Sequence, residues 1–174
     1  MAEANLEDLK ILLVEPHRST RRVLESVAAA LRIRTPKWLQ DPVEGLAAIK
    51  QDLPDLLILG QGLGAFDSLD LVESIRRDPR QPYAFLPIIF MTDDNGSDAQ
   101  QALERGAHKV LSRPISPDSL RDTISDLVER PSPFVKTGTY FGPDRRRKGP
   151  RTQAEGRCGD TGAKPAVAED PRRL

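Results

Sequence analysis

The chain has 174 residues, and its 26 Lys or Arg are balanced by 26 Asp or Glu. That length suits one ordinary domain with an appendage. Cys158 is the only cysteine, which excludes an intrachain disulfide and a cysteine-based zinc site. No apolar run nears the roughly 18 residues that a membrane span needs. Residues 1–8 form an acidic, polar arm without the basic start and apolar core of a signal peptide, so a cytoplasmic location is expected.

The neutral total hides an uneven distribution. Residues 131–174 carry ten Lys or Arg and five Asp or Glu, a net of +5, which leaves −5 on residues 1–130. The same segment holds six Pro and six Gly, with Phe134, Val135, Phe141, Val167 and Leu174 as its larger aliphatic or Phe side chains. So little apolar surface does not offset chain entropy, and a mostly disordered tail is expected over 131–174. Residues 9–130 are left as the folded domain, long enough for a core of its own.

Taken in chain order, residues 9–130 alternate strand and helix patterns five times. Ile11 to Val14 is a short apolar run, suited to a buried parallel strand. A helix opens at Arg18 or Ser19 and runs to about Leu31, with Val23, Val27 and Ala30 on one face. Trp38-Leu39 marks a weaker second strand, with Trp38 packing at the sheet edge. Asp41-Pro42 supplies a capping acid and a first-turn proline for the next helix. Leu56 to Leu59 is the third strand. Asp67 or Ser68 begins a helix bearing Leu69, Leu71, Val72 and Ile75, and Pro79 and Pro82 punctuate the loop beyond it. Pro87 to Met91 forms the fourth strand. Ser97 to Arg105 is helical, and Gly106 is placed to close it in a left-handed turn. Val110-Leu111 is the fifth strand, and Ser116-Pro117 starts a last helix striped by Leu120, Ile124, Leu127 and Val128. The pattern predicts an α/β domain with a doubly wound parallel sheet.

Four blocks in this order resemble the receiver domain of two-component response regulators. They are Ile11-Leu12-Leu13-Val14-Glu15-Pro16; Pro54-Asp55-Leu56-Leu57-Ile58-Leu59-Gly60, running on to Leu71; Pro87-Ile88-Ile89-Phe90-Met91-Thr92; and Gly106 to Pro114, ending in Arg113-Pro114. The resemblance implies strand order 2-1-3-4-5 and a pocket at the carboxyl ends of strands 1, 3 and 4.

It also implies what the pocket lacks. The family has two acids after the first strand; here Glu15 is followed by Pro16. The third strand of the family ends in the aspartate that accepts a phosphoryl group; here Gly60 stands there and offers no carboxylate. Thr92 matches the hydroxyl that contacts the phosphoryl group. Arg113 replaces the family's lysine, with a different shape and reach, and pairing with Glu15 is expected. Val110 replaces the aromatic that swings with the threonine. Magnesium needs several hard oxygen ligands, and neither Pro16 nor Gly60 supplies one, so no metal and no cofactor is expected. The reading is a non-enzymatic pseudo-receiver acting by protein contact in a bacterial two-component or phosphorelay system. Its partner would be a histidine kinase, a response regulator or an output protein, with nucleic acid and membrane outside the expected set. The candidate contact face comprises residues 99–105, 110–113 and 119–130.

Other readings remain open at this point. Asp67 or Asp93 could serve as a relocated acceptor. Gly60-Gln61-Gly62-Leu63-Gly64 follows a strand like a dinucleotide loop, but its third glycine comes one residue early. His17 and His108 have no partner at metal-ligand spacing, so both are expected on the surface. Tyr140-Phe141-Gly142-Pro143-Asp144-Arg145-Arg146-Arg147 is a candidate docking motif, its aromatics in a partner groove and its arginines on an acidic or phosphate surface. The basic tail could instead contact nucleic acid through phosphates.

Overall fold

Three apolar runs dictate the centre of the molecule. Ile11–Val14 (β1), Leu56–Gly60 (β3) and Ile88–Thr92 (β4) are buried along their whole length, as strands covered on both faces must be. In the computed structural model, which describes residues 6–62, 67–93, 96–145 and 166–168, they form the middle of a parallel sheet. Lys37–Leu39 (β2) and Lys109–Ser112 (β5) are its half-exposed edges, and the order is β2-β1-β3-β4-β5. The expected strand order therefore holds.

Successive strand residues point to opposite faces, so one chain supplies two cores. Leu12, Val14, Leu57, Leu59 and Phe90 face one way, against Pro42–Gln51 (α2), Ser68–Arg76 (α3) and Ser97–Glu104 (α4). Ile11, Leu13, Ile58, Ile89 and Met91 face the other way, against Arg18–Ala30 (α1) and Pro117–Glu129 (α5).

Side chains fix the helix starts. Asp41 accepts from Val43 N at α2, and Ser116 from Ser119 N at α5. Asp67 and Asp70 form a reciprocal capping box at α3. Gly106, at φ 107°, closes α4 in the left-handed turn expected of it. Trp38 lies half-buried on the edge strand, its Nε1 donating to Glu15 O at 2.8 Å and the Arg21 guanidinium 4.4 Å from its ring centre.

The domain does not end at residue 130. Phe134–Lys136 (β6) and Phe141–Pro143 (β7) form an antiparallel hairpin, and Ala166–Ala168 (β8) pairs with the other side of β6. Phe134 and Phe141 meet Phe85 with ring centres 5.1 and 5.3 Å away. Residues 131–145, the start of the segment expected to be mostly disordered, thus hold the hairpin that packs on Phe85. Those residues need no core of their own, because their few aromatics cover an aromatic already presented by the Pro82–Phe85 turn. The remainder of the expected tail, β8 aside, falls outside the described residues, Arg146, Arg147 and Cys158 included.

One buried cation fastens the hairpin's platform. Arg76, 5 % exposed, donates to Ala84 O, Leu86 O and Gly106 O at 2.7–3.1 Å and lies 5.2 Å from the Phe134 ring centre. His108, expected at the surface, is half-buried instead; its Nδ1 accepts from Ile88 N, and its ring lies 5.3 Å from that of Phe134. His17 is exposed, as expected.

Candidate functional site

The carboxyl ends of β1, β3 and β4 bring Glu15, Gly60 and Thr92 together, and the cis Arg113-Pro114 peptide follows β5 beside them. Glu15 is fully buried. Its Oε2 pairs with Arg113 Nη2 at 2.5 Å, and its Oε1 accepts from His17 N at 2.9 Å. Arg113 Nη1 reaches Asp93 Oδ2 at 3.2 Å, so one guanidinium joins a buried carboxylate to an exposed one.

Gly60 explains why Glu15 fits. A Cβ at Gly60 would fall on Glu15 Oε2 and lie 2.6 Å from its Cδ and 3.1 Å from Arg113 Nη2. The Glu15 carboxyl thus occupies the volume into which any side chain from position 60 would grow. The two residues complement each other: the one without a side chain sits where its neighbour's carboxylate lies. Sequence reading noted each alone, and spacing gave no sign that they share one space.

Thr92 is buried, and its Oγ1 donates to Gln61 Oε1 at 2.8 Å. Gln61, not singled out by the sequence, also accepts from Asp93 N at 3.3 Å and donates through Nε2 to Asp98. Ser68 Oγ donates to Gly60 O at 2.5 Å, tying α3 to the same strand end. Val110 is half-buried in the first core, paired in register with Phe90.

Magnesium does not fit this donor set. Glu15 is already paired with a guanidinium, Pro16 and Gly60 bring no oxygen ligand from a side chain, and no group of three or more His, Cys, Asp or Glu converges among the described residues. Asp67, a candidate acceptor, accepts from Asp70 N at 2.9 Å as a helix cap. Asp93 faces solvent beside Arg113. Of the dinucleotide-like loop, residues 63 and 64 lie outside the described residues.

The docking motif turns inward where it is described. Phe141 packs on Phe85 and Phe134, and Tyr140 Oη donates to Pro143 O at 3.0 Å. Arg145 Nη2 donates to Leu103 O and to Ala107 O. Gly142 leaves room for the Tyr140 ring, and Gly106 lets Phe141 O approach, since a Cβ there would lie 3.2 Å from it. Phe141 is half-buried, with part of its ring packed against Phe85 and Phe134 within the chain.

A five-stranded parallel sheet of this order, with its loop cluster at the carboxyl ends of the central strands, is the flavodoxin-like architecture to which receiver domains belong. Residues 11–125 match the response regulator receiver domain, and the chain belongs to that family. It is 26% identical over 130 residues to the autoinducer 2 sensor kinase/phosphatase LuxQ of Vibrio parahaemolyticus, covering 74% of this chain and 15% of that protein. It is 30% identical over 126 residues to the cyclic di-GMP phosphodiesterase response regulator RpfG of Xanthomonas campestris, covering 70% of this chain and 32% of that protein. The chain thus spans less than a third of the length of these relatives. Among solved structures, a putative response regulator from Chloroflexus aurantiacus superposes with a TM-score of 0.64 at 25% identity, over 71% of this chain and 99% of that one. Among the described residues no helix is long and apolar enough to cross a membrane.

Proposed function

We propose that this receiver domain takes up no phosphoryl group and works by contact with other proteins of a two-component or phosphorelay system. The observation that carries the reading is the Glu15 carboxylate, buried, paired with Arg113, and lying in the volume that a side chain at position 60 would need. In-line transfer to a carboxylate requires a nucleophile with open space before it and a cation to gather the leaving oxygens. Here the carboxylate in that volume is spent on a guanidinium, and position 60 brings none.

The partner is a histidine kinase, a response regulator or an output protein, met in the cytoplasm. It is engaged through the face built by α4, β5 and α5. The hairpin occupies the carboxyl end of α4 through Arg145, so the available part of that face is the outer side of α4, β5 and α5.

The test is intact-mass spectrometry of the full chain after incubation with acetyl phosphate and magnesium. The expected mass is unchanged. A stable acyl phosphate mapped to Asp93, Asp67 or any other aspartate refutes the proposal.

A further inference from the structure

Gln61 is the first residue past β3, and its side chain does more than fill space. Its amide oxygen takes two donors at the end of β4: the Thr92 hydroxyl at 2.8 Å and Asp93 N at 3.3 Å. A hydroxyl and a backbone N–H converging on one point are what would hold a single oxygen of an anion. Gln61 supplies that oxygen from within the chain, without charge. Its amide nitrogen donates at the same time to Asp98, in the first turn of α4. One side chain therefore spans from the end of β4 to the start of a helix.

That helix buries little of its own surface. Ala102 is its one buried residue, whereas α3 buries six. A helix with so small a buried face is held in place by its end contacts more than by its packing. At its other end Arg145 donates to Leu103 O and Ala107 O.

We propose that Gln61 is a built-in ligand of the Thr92 and Asp93 donors, which holds α4 in one position without phosphate or a metal ion. The proposal rests on the reading above, in which the pocket is closed to phosphoryl transfer. It makes Gln61 a positioning residue: it fixes the surface that a partner meets.

Amide hydrogen exchange on the full chain tests it, with Gln61→Ala, Asp98→Ala, Asp98→Asn and the double variant Gln61→Ala/Asp98→Ala. Peptides covering residues 97–104 are expected to exchange about tenfold faster in both alanine variants, as loss of one charge-assisted hydrogen bond dictates. The double variant exchanges no faster than either single one, because both remove the same link. Asp98→Asn keeps an acceptor for Gln61 and stays near the parent. Peptides from β1 and β3 keep their rates throughout.

Parent-like α4 exchange in Gln61→Ala overturns the proposal, and so does equal acceleration of every peptide. Acceleration in Asp98→Asn matching that in Asp98→Ala also overturns it, since the effect is then charge at a helix start. If Gln61→Ala does not fold, the two Asp98 variants decide. A phosphoryl adduct on the parent protein sinks the functional reading, and unaltered α4 exchange sinks this one; neither result implies the other.

Discussion

Restoring the missing aspartate alone is expected to damage the domain rather than revive it. In Gly60→Asp the new Cβ falls on Glu15 Oε2, so the Glu15 side chain must leave its place. Glu15 is fully buried and held at both oxygens, by Arg113 Nη2 and His17 N, so it cannot swing aside without breaking contacts. Forcing extra volume into a packed site costs about 1–3 kcal/mol. Losing a hydrogen bond to a charged group adds about 1.5–3 kcal/mol, partly recovered if the new carboxylate takes over Arg113. A net destabilisation of about 3 kcal/mol is expected from those two effects. The φ angle at Gly60 lies outside the left-handed region, so backbone strain contributes nothing. Gly60→Ala puts the same Cβ on Glu15 Oε2 and gives Arg113 no replacement carboxylate, so a loss of at least about 3 kcal/mol is expected there as well. Shortening the neighbour relieves the clash: Gly60→Asp/Glu15→Asp should be more stable than Gly60→Asp by more than about 1 kcal/mol, as contacting residues couple. Urea unfolding followed by far-ultraviolet circular dichroism measures all four proteins. A Gly60→Asp variant as stable as the parent, or no recovery in the double variant, refutes the shared-volume argument.

Arg113→Ala leaves the Glu15 carboxylate buried and without its cation, and should cost about 3–5 kcal/mol in the same urea assay. Phe134→Ala removes the ring that joins Phe85, Phe141 and His108, and a loss of about 3 kcal/mol is expected, with faster exchange confined first to residues 134–143. Burial, outweighing the nearby Arg145 and Arg76 charges, raises the Tyr140 phenol above its ordinary value. The folded state therefore holds that proton more tightly than the unfolded chain. The resulting stability is complete below about pH 10 and is lost as pH climbs through the raised value. An alkaline titration of hairpin exchange should show this loss, and Tyr140→Phe should lack it.

The doubly wound sheet was legible because buried parallel strands and amphipathic helices leave separate periods in the sequence. Ile11 to Val14 and Leu56 to Leu59 read as continuous apolar runs, while Leu120, Ile124 and Leu127 repeat at helical spacing. Cap chemistry is local, so Asp41, Asp67 and Ser116 announced their helices. The hairpin was not legible. Phe134 and Phe141 are sparse within their own segment, and their partner Phe85 lies about fifty residues earlier, beyond any local pattern. No local pattern marks Arg76, at the end of α3, as a buried cation; the fold turns it onto three carbonyl oxygens. Gln61 escaped notice because an amide has no periodicity and no charge. The pairing of Glu15 with Gly60 was hidden for a related reason: a glycine reads as a loss, and the sequence does not state which neighbour fills the space.

The molecule carries a single tryptophan, and it sits on the doorstep of this site. The Trp38 indole donates its proton to the main-chain oxygen of Glu15, with a guanidinium 4.4 Å from its ring centre. Indole emission responds to nearby charge and hydrogen bonding, so its colour and yield register displacement of the Glu15 backbone. The protein therefore brings its own label, and partner binding that disturbs the site can be followed by light without attaching a dye.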